Sequence, residues 1–152
     1  MSFDTHAGTR GARQPRAGVM LRWVDKMAAG RIRRTGKMMG LNAVMLTTVG
    51  ARSGVERAHP VGWFPQNGGW LIVASAAGAA RNPAWYHNIA AHPDQVKIEL
   101  NGRTVPVTAE QLHGAERDEA WQQITTAAPR FASYQRKTDR ELPIIRLTSR
   151  AA

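Results

Sequence analysis

The 152-residue chain has the size of one ordinary domain, and 43% of its residues are hydrophobic, which is enough for a sizeable core. It contains no cysteine, which excludes disulfide bonds, thiolate metal sites and thiol nucleophiles. The net charge is +10, and residues 1–37 hold nine Lys or Arg against two Asp or Glu. A basic surplus of this kind favours an acidic ligand, nucleic acid or anionic lipid as partner.

The first third of the chain predicts an arm, a helix and a strand. Residues 1–16 contain Gly, Arg and Pro and little to bury, so we expect a flexible basic arm. Residues 17–34 carry apolar side chains at helical spacing with basic ones opposite, which predicts an amphipathic helix that covers the core. Contact of this helix with a membrane surface is the alternative. The β-branched run NAVMLTTV then predicts a strand.

Strands and one helix follow in the middle of the chain. After the polar break GARSG, the segment ERAHPVGWF predicts a second strand, in which Pro60 favours an edge or a bulge. The turn signal QNGG separates it from a third strand, WLIVAS. We expect Asn82 to cap the helix AWYHNIAAH and Pro83 to occupy its first position.

The last third predicts a hairpin, two helices and a final strand. QVKIEL and TVPVTAEQL alternate with period two around an Asn-Gly turn. Helices over GAERDEAWQQITTAA and FASYQRKTD precede the strand LPIIRLTS. Because hairpins connect most strands, we predict one mainly β (α+β) domain over residues 17–152, a small and mostly antiparallel barrel with an N-terminal helix and two or three others around it.

The chemistry-bearing residues do not form a catalytic or metal-binding motif. The five histidines lack metal-ligand spacing, and neither a GxSxG elbow nor a P-loop is present, so we predict no metal site. The remaining polar groups suit a flat anionic molecule: Arg52 and Arg57 flank a glycine turn, and small residues follow Ser75. A helix amino terminus near Asn82 would also favour an anion.

Three strings resemble the deazaflavin-dependent nitroreductase family, whose members are small split-barrel proteins that use coenzyme F420. They are TTVGARSGVERAHPV, ASAAGAARNPAWYHNIAAHP and YQRKTDRELPIIRL, and the resemblance covers about residues 46–147. It implies a split, FMN-binding-like β-barrel and an F420H2-dependent oxidoreductase. The implied reaction is hydride transfer from the reduced deazaflavin to an electron-poor enone, quinone or nitroarene, with no side chain acting as nucleophile.

The resemblance also implies which residues bind the cofactor, whose tail is a phosphate followed by glutamates. Charge-assisted contacts from arginine suit such a tail. The tail would lie against Arg52, Ser53, Gly54 and Arg57. The ring would lie along Pro60, Val61 and Gly62. The rest of the cofactor would pass Ala74, Ser75, Ala76, Ala77, Ala84, Trp85, Tyr86, His87 and Asn88.

Two departures from the family pattern remove charge from the expected anion site. The family's GRKSG is GARSG here, so Ala51 replaces a basic residue. The family's SKGG is SAAG, so Ala76 replaces a lysine. We expect binding to survive with a weaker hold on the tail, and Arg81 is a candidate to compensate.

A third departure lies on the expected substrate side, where the family's YPxYxxYQ is APRFASYQ. Phe131 keeps the ring of a tyrosine that is linked to substrate reduction in nitroreductases, but it lacks the hydroxyl, which argues against nitro-drug reduction. Tyr134 is the remaining phenol that could hydrogen-bond a substrate or donate a proton. Trp23 and Met27, on the N-terminal helix, complete the expected substrate-binding set.

Several alternatives stay open from the sequence. The same barrel could use FMN, or it could bind a cofactor or lipid without turnover. Nucleic acid is disfavoured, because no aromatic residues are interleaved with the basic residues of the arm. We therefore expect a small-molecule substrate, a monomer or homodimer, and a cytoplasmic location in which peripheral contact with the inner membrane face is undecided.

Overall fold

The computed structural model describes residues 3–13, 27 and 29–150. Residues 29–35 are helical, and Met27 is also in helical conformation; we call this helix α1. Most of the predicted helix at 17–34, including Trp23, lies outside the described residues. No helix within the described residues is long and apolar enough to cross a bilayer.

Eight strands and three further helices follow α1 in the described chain. The strands are β1 (Lys37–Met38), β2 (Leu41–Val49), β3 (Glu56–Gly62), β4 (Phe64–Gln66), β5 (Gly69–Val73), β6 (Val96–Leu100), β7 (Arg103–Gln111) and β8 (Ile144–Ser149). The helices are α2 (Ala84–Ala91), α3 (Gly114–Ala127) and α4 (Arg130–Lys137). A short 3₁₀ segment, Ala76–Gly78, follows β5.

The strands form one curled antiparallel sheet in the order β1-β2-β6-β7-β8-β5-β4, with β3 paired to β2. All pairings between these strands are antiparallel, which confirms the predicted split-barrel architecture. Among the described strands, β3 pairs with β2 alone, and its Pro60 lies opposite Met45. Pro60 therefore occupies an edge strand, where its missing N–H costs no ladder hydrogen bond.

The alternation of side chains along the strands divides the core into layers. In β2, Val44 and Leu46 point into the barrel, where Trp85 and Ile89 of α2 join the largest buried cluster. The neighbouring residues Ala43 and Met45 face outward and contact α1. The outward side chains of β5 and β8 pack instead against α3 and α4. The sheet is thus covered by helices on its outer face and filled by α2 at one end.

Residues 3–13, which we call the N-terminal strap, lie against the barrel rather than forming a flexible arm. Ala12 forms a parallel bridge with Ala79, and the Gly8 N–H donates to the carbonyl of Ala80 at 2.7 Å. Thr9 donates to the Asp139 carboxylate through its N–H, at 2.8 Å, and through its hydroxyl. The local composition could not reveal this attachment, because the groups that anchor the strap are side chains and carbonyls far away in the sequence.

Candidate cofactor and substrate site

Two cavities lie side by side along β3 and α2. The first, which we call the apolar cavity, has a volume of about 240 Å³ and is bounded by β3, the segment after β5, and α4. The second, which we call the basic cavity, has a volume of about 600 Å³ and is bounded by the loop between β2 and β3 and by α2. Because His59 lines one cavity and Pro60, its neighbour in β3, lines the other, the two cavities adjoin along this strand.

One wall of the apolar cavity is the edge strand β3. Pro60, Val61 and Gly62 line it with little polar side-chain surface, which suits the face of a planar ring. On the opposite side, Phe131 and Tyr134 of α4 contact each other edge to face, with ring centroids 5.5 Å apart. The cavity therefore has an apolar floor and a single phenol hydroxyl near its substrate side.

A tight turn at residues 75–80, which we call the 75–80 turn, forms the third wall. Ala76 and Ala77 have φ of 45° and 54°, in the left-handed region that is costly for residues with a Cβ. Gly78 follows at φ 85°, and a Cβ there would stand 2.6 Å from the Tyr134 carbonyl oxygen. Glycine at this position lets the turn pack directly on the backbone of α4.

The basic cavity is formed around residues 50–54, which we call the 50–54 turn. The Gly54 N–H donates to the Gly50 carbonyl at 3.0 Å, which closes the turn. Asn88 of α2 accepts from the Ala51 N–H at 3.0 Å and donates to the Thr48 hydroxyl at 3.1 Å. Asn88 is buried, so it fixes the turn against α2 rather than offering its amide to a ligand.

Arg52 and Arg57 both line the basic cavity and are exposed. Neither guanidinium forms a hydrogen bond or ion pair with any other residue that the structure describes. By contrast, Arg33 pairs with Glu99 and Arg146 with Glu110. The cationic groups of the basic cavity are therefore available to an anion.

Most of the residues that the sequence predicted for the cofactor line these two cavities. In the apolar cavity these are Pro60, Val61, Gly62, Ser75, Ala76, Ala77 and Trp85. In the basic cavity they are Arg52, Ser53, Arg57, Ala84, His87 and Asn88. The structure thus brings together three segments that are separate in the sequence.

Three predicted cofactor residues do not line either cavity. The Gly54 N–H donates to the Gly50 carbonyl within the 50–54 turn, and Ala74 is fully buried in the barrel. Tyr86 is also in the core, where its hydroxyl donates to Gln111 Oε1 at 2.6 Å and accepts from the Thr5 N–H at 3.1 Å. Tyr86 points inward because it lies on the barrel-facing side of α2.

The substrate-side predictions divide between the two helices. Phe131 and Tyr134 line the apolar cavity. Met27 does not line it, and its side chain is 66% exposed. Trp23 lies outside the described residues. Met27 therefore does not contribute to the expected substrate-binding set in this structure.

The β1–β2 hairpin supplies a wall that the sequence did not predict. Met38, Met39 and Leu41 line the apolar cavity. The Met39 carbonyl accepts a 2.7 Å hydrogen bond from Arg130 of α4, which joins the hairpin to the opposite side of the cavity. The signal for this hairpin in the sequence is the glycine of the pair Met39-Gly40. In the structure these two residues have φ values of 51° and 79° and form a tight turn.

The start of α2 also differs from the prediction. Pro83, not Asn82, occupies the N-cap position, and the helix begins at Ala84. The Asn82 side chain donates to the Thr5 carbonyl at 2.8 Å and accepts from Arg140 at 2.6 Å. Asn82 therefore joins the strap to the site instead of capping the helix.

The sequence model of the F420H(2)-dependent quinone reductase family matches residues 20–149. This chain belongs to that family. The predictions of an F420H2-dependent reductase and of F420 as its cofactor are confirmed by this membership. The family's description refers to quinones, whereas the resemblance in the sequence was to nitroreductases.

Individual proteins and solved structures are also similar to this chain. An F420H(2)-dependent quinone reductase of Mycobacterium tuberculosis is 35% identical over 111 residues, which cover 71% of this chain and 74% of that protein. The solved F420-H2 dependent reductase FDR-A is 38% identical with a TM-score of 0.62, over 69% of this chain and 92% of that one. A domain-swapped dimer is 34% identical with a TM-score of 0.63, over 84% and 98% of the two chains.

A more distant solved structure shows the fold alone. HutZ, the heme storage protein of Vibrio cholerae, is 12% identical with a TM-score of 0.56, over 84% of this chain and 91% of that one. At this identity the similarity extends to the strand arrangement and not to the residues of the site.

Proposed function

We propose that this chain binds F420H2 across the two cavities and reduces a quinone, with enones and nitroarenes as further electron-poor acceptors. The observation that carries the proposal is the pair of unpartnered guanidinium groups, Arg52 and Arg57, directly beside a cavity lined by Pro60, Val61 and Gly62. A cationic cavity next to an apolar one matches a cofactor that has an anionic tail and a planar ring.

The basic cavity would bind the glutamates of the tail, and the phosphate would lie between this cavity and the ring. Guanidinium groups form two parallel hydrogen bonds with phosphate or carboxylate, so both arginines are suited to these anions. Ser53 and His87 line the same cavity and offer additional polar contacts. The net charge of +10 would raise the rate of encounter with a polyanionic cofactor.

The apolar cavity would hold the deazaflavin ring and the acceptor. When bound, F420H2 supplies the hydride; the protein supplies binding and orientation. Pro60, Val61 and Gly62 would contact the ring, while Phe131 and Met39 would exclude water from the acceptor. The Tyr134 hydroxyl is the candidate to hydrogen-bond an acceptor oxygen and deliver a proton to it.

Tryptophan fluorescence provides the direct test of the proposal. Trp85 lines the apolar cavity, so F420 should quench the emission of the purified protein, and FMN should do so less or not at all. Oxidation of F420H2 should then be followed with a menadione-like quinone, an enone and a nitroarene. Binding of F420 without oxidation by any acceptor would contradict reductase activity, and binding of FMN in preference to F420 would favour the FMN alternative.

We also propose two further properties, a homodimeric state and peripheral contact with a membrane. A relative of similar length is a domain-swapped dimer, which supports a homodimer. Arg31, Arg34 and Met27 are exposed on or next to α1, which supports peripheral contact of a cytoplasmic protein with an anionic bilayer. Sedimentation would test the first property, and flotation with phosphatidylglycerol vesicles, comparing the wild type with a variant that carries Arg31→Gln and Arg34→Gln, would test the second.

A further inference from the structure

Arg140 is a buried cation immediately behind the site. Its side chain lies in the segment between α4 and β8 and is 2% exposed. Its Nε donates to the Ala79 carbonyl at 3.2 Å, and its Nη2 donates to the carbonyls of Ser75 and Ala79, both at 2.9 Å. Its Nη1 donates to the Ala74 carbonyl at 2.9 Å and to Asn82 Oδ1 at 2.6 Å.

These contacts leave the charge of Arg140 without an anionic partner. No carboxylate in the described part of the chain forms an ion pair with it. Burial lowers the pKa of the guanidinium from its ordinary value, yet an arginine stays protonated in such surroundings. Burying a cation among neutral carbonyls costs folding free energy. We therefore expect the charge or the geometry of Arg140 to serve the site.

Four of the five hydrogen bonds hold the two ends of one loop, and the fifth goes to Asn82. Ala74 and Ser75 lie before the left-handed residues of the 75–80 turn, and Ala79 lies after them. Two successive alanines with positive φ persist only when the surrounding structure determines their conformation, and Arg140 supplies that constraint. Lysine could not replace it fully, because an ammonium lacks the planar fork that reaches several carbonyls at once.

The shape that Arg140 maintains is one that binds anions. Ser75 is in the right-handed helical region, with φ −79° and ψ −36°, and Ala76 follows in the left-handed region. A right-handed residue followed by a left-handed one is typical of a nest, in which neighbouring backbone N–H groups point to one side and bind an anion. Residues 75–80 carry no basic side chain of their own, so the nearest buried positive charge is that of Arg140.

We propose that Arg140 is a positioning residue that holds the 75–80 turn in its anion-binding conformation and gives it a positive potential. The ligand is a phosphate-class group in the middle of the bound cofactor, which lies between the ring in the apolar cavity and the tail in the basic cavity. Arg140 does not contact this group; it acts through the Ser75–Ala77 backbone. The proposal rests on the proposed function of the two cavities.

Arg140→Lys tests the geometric part, with Arg117→Lys as the matched control. Arg117 is also a buried arginine that donates to a carbonyl, that of Leu142 at 2.9 Å, but it lies on α3, away from both cavities. We expect Arg140→Lys to raise the Kd for F420 about tenfold while kcat at saturating cofactor changes less than about twofold. Arg117→Lys should lower the thermal midpoint but leave the Kd unchanged.

Asn82→Asp and Asn82→Ala test the electrostatic part without removing Arg140. Both variants lose the hydrogen bond to Thr5, but only aspartate gives Arg140 a carboxylate and cancels its charge. We expect a Kd for F420 several-fold higher in Asn82→Asp than in Asn82→Ala, although aspartate should give the more stable protein. A purely structural role for Arg140 predicts the reverse order of affinities.

The outcomes separate this inference from the proposed function. If the wild-type protein fails to bind F420, both are overturned. If it binds F420, and Arg140→Lys binds as tightly as Arg117→Lys does, the positioning role is wrong while the proposed function stands. Should Arg140→Lys fail to fold, the Asn82 pair decides, and equal affinities in that pair overturn the inference.

Discussion

The two tyrosines of this chain differ in what surrounds their hydroxyl groups. Tyr86 is buried, and its hydroxyl donates to Gln111 and accepts from Thr5. Tyr134 lines the apolar cavity, and its hydroxyl forms no hydrogen bond with another described residue. The first hydroxyl is committed to the core, whereas the second is available to a substrate.

Tyr134→Phe is expected to reduce catalysis without reducing stability. We predict that kcat/KM for a quinone falls about fivefold, because one lost hydrogen bond to the acceptor is worth about 1 kcal/mol. The Kd for F420 and the thermal midpoint should stay at wild-type values. Steady-state kinetics with F420H2 checks this, and an unchanged kcat/KM would assign proton delivery to water or backbone.

Tyr86→Phe is expected to show the opposite behaviour. It leaves Gln111 Oε1 and the Thr5 N–H without their partner in a buried place, which costs about 1–3 kcal/mol of unfolding free energy. Urea denaturation measures this loss. F420 affinity should change little, because Tyr86 lines neither cavity; a large rise in Kd would contradict the structural role assigned to it.

Arg52→Ala is expected to weaken cofactor binding according to the length of the glutamate tail. Arg52 is exposed in the basic cavity and has no partner among the described residues, so its removal should not destabilise the fold. The Kd should rise more for F420 with a long tail than for a version with a short tail. Calorimetry with both forms checks this, and an equal loss for both would contradict contact with the tail.

The 50–54 turn and α2 form one structural unit, although about thirty residues separate them in the sequence. Asn88 links them: it accepts from the Ala51 N–H and donates to the hydroxyl of the fully buried Thr48. The guanidinium groups of the basic cavity are therefore carried by a turn whose position depends on a core side chain.

Asn88→Ala is expected to affect both stability and binding. It removes two hydrogen bonds and leaves the buried Thr48 hydroxyl unsatisfied, which costs about 2–3 kcal/mol of unfolding free energy. The 50–54 turn, no longer held by Asn88, should also position its arginines less well and so raise the Kd for F420. Comparing Asn88→Ala with Asn88→Asp, which keeps the acceptor for Ala51, separates the two effects; equal Kd values would show that turn position does not matter.

Local sequence signals predicted most of the strands and helices. The features that they missed depend on contacts with residues far away in the sequence. The Asn-Gly turn between β6 and β7 has φ of 53° and 76°, as expected for a two-residue hairpin. Asn82 followed a local capping rule, but its observed partners are 77 and 58 residues away. The family resemblance located the site segments, yet it did not show that Trp85 lines the apolar cavity while Tyr86 lines neither cavity.

At the scale of the whole molecule, the N-terminal strap is the longest-range element of the fold. Asp139 anchors it by accepting from the N–H and hydroxyl of Thr9 and from the Arg10 N–H. Asp139 directly precedes Arg140 in the chain. The strap and the 75–80 turn are therefore attached to the same segment, and what loosens one is expected to loosen the other.

Asp139→Asn is expected to destabilise the protein in a pH-dependent way. Hydrogen bonds from Thr9 lower the pKa of Asp139 from 3.8 to about 2. A depressed pKa stabilises the folded state fully above the unfolded value and not at all below the folded one. The stability difference between wild type and variant should thus be constant from pH 5 to 7 and shrink between about pH 4 and pH 2. Urea titrations at several pH values check this, and a pH-independent difference would contradict the anchor.

The position of the strap has a practical bearing on purification. Any fusion attached ahead of residue 3 would be connected through backbone that hydrogen-bonds to Gly78 and Ala80, beside the proposed phosphate nest. The last described strand, β8, instead ends in exposed residues. An affinity tag placed there keeps clear of both cavities, and ligand affinities measured on such material should reproduce those of the untagged chain.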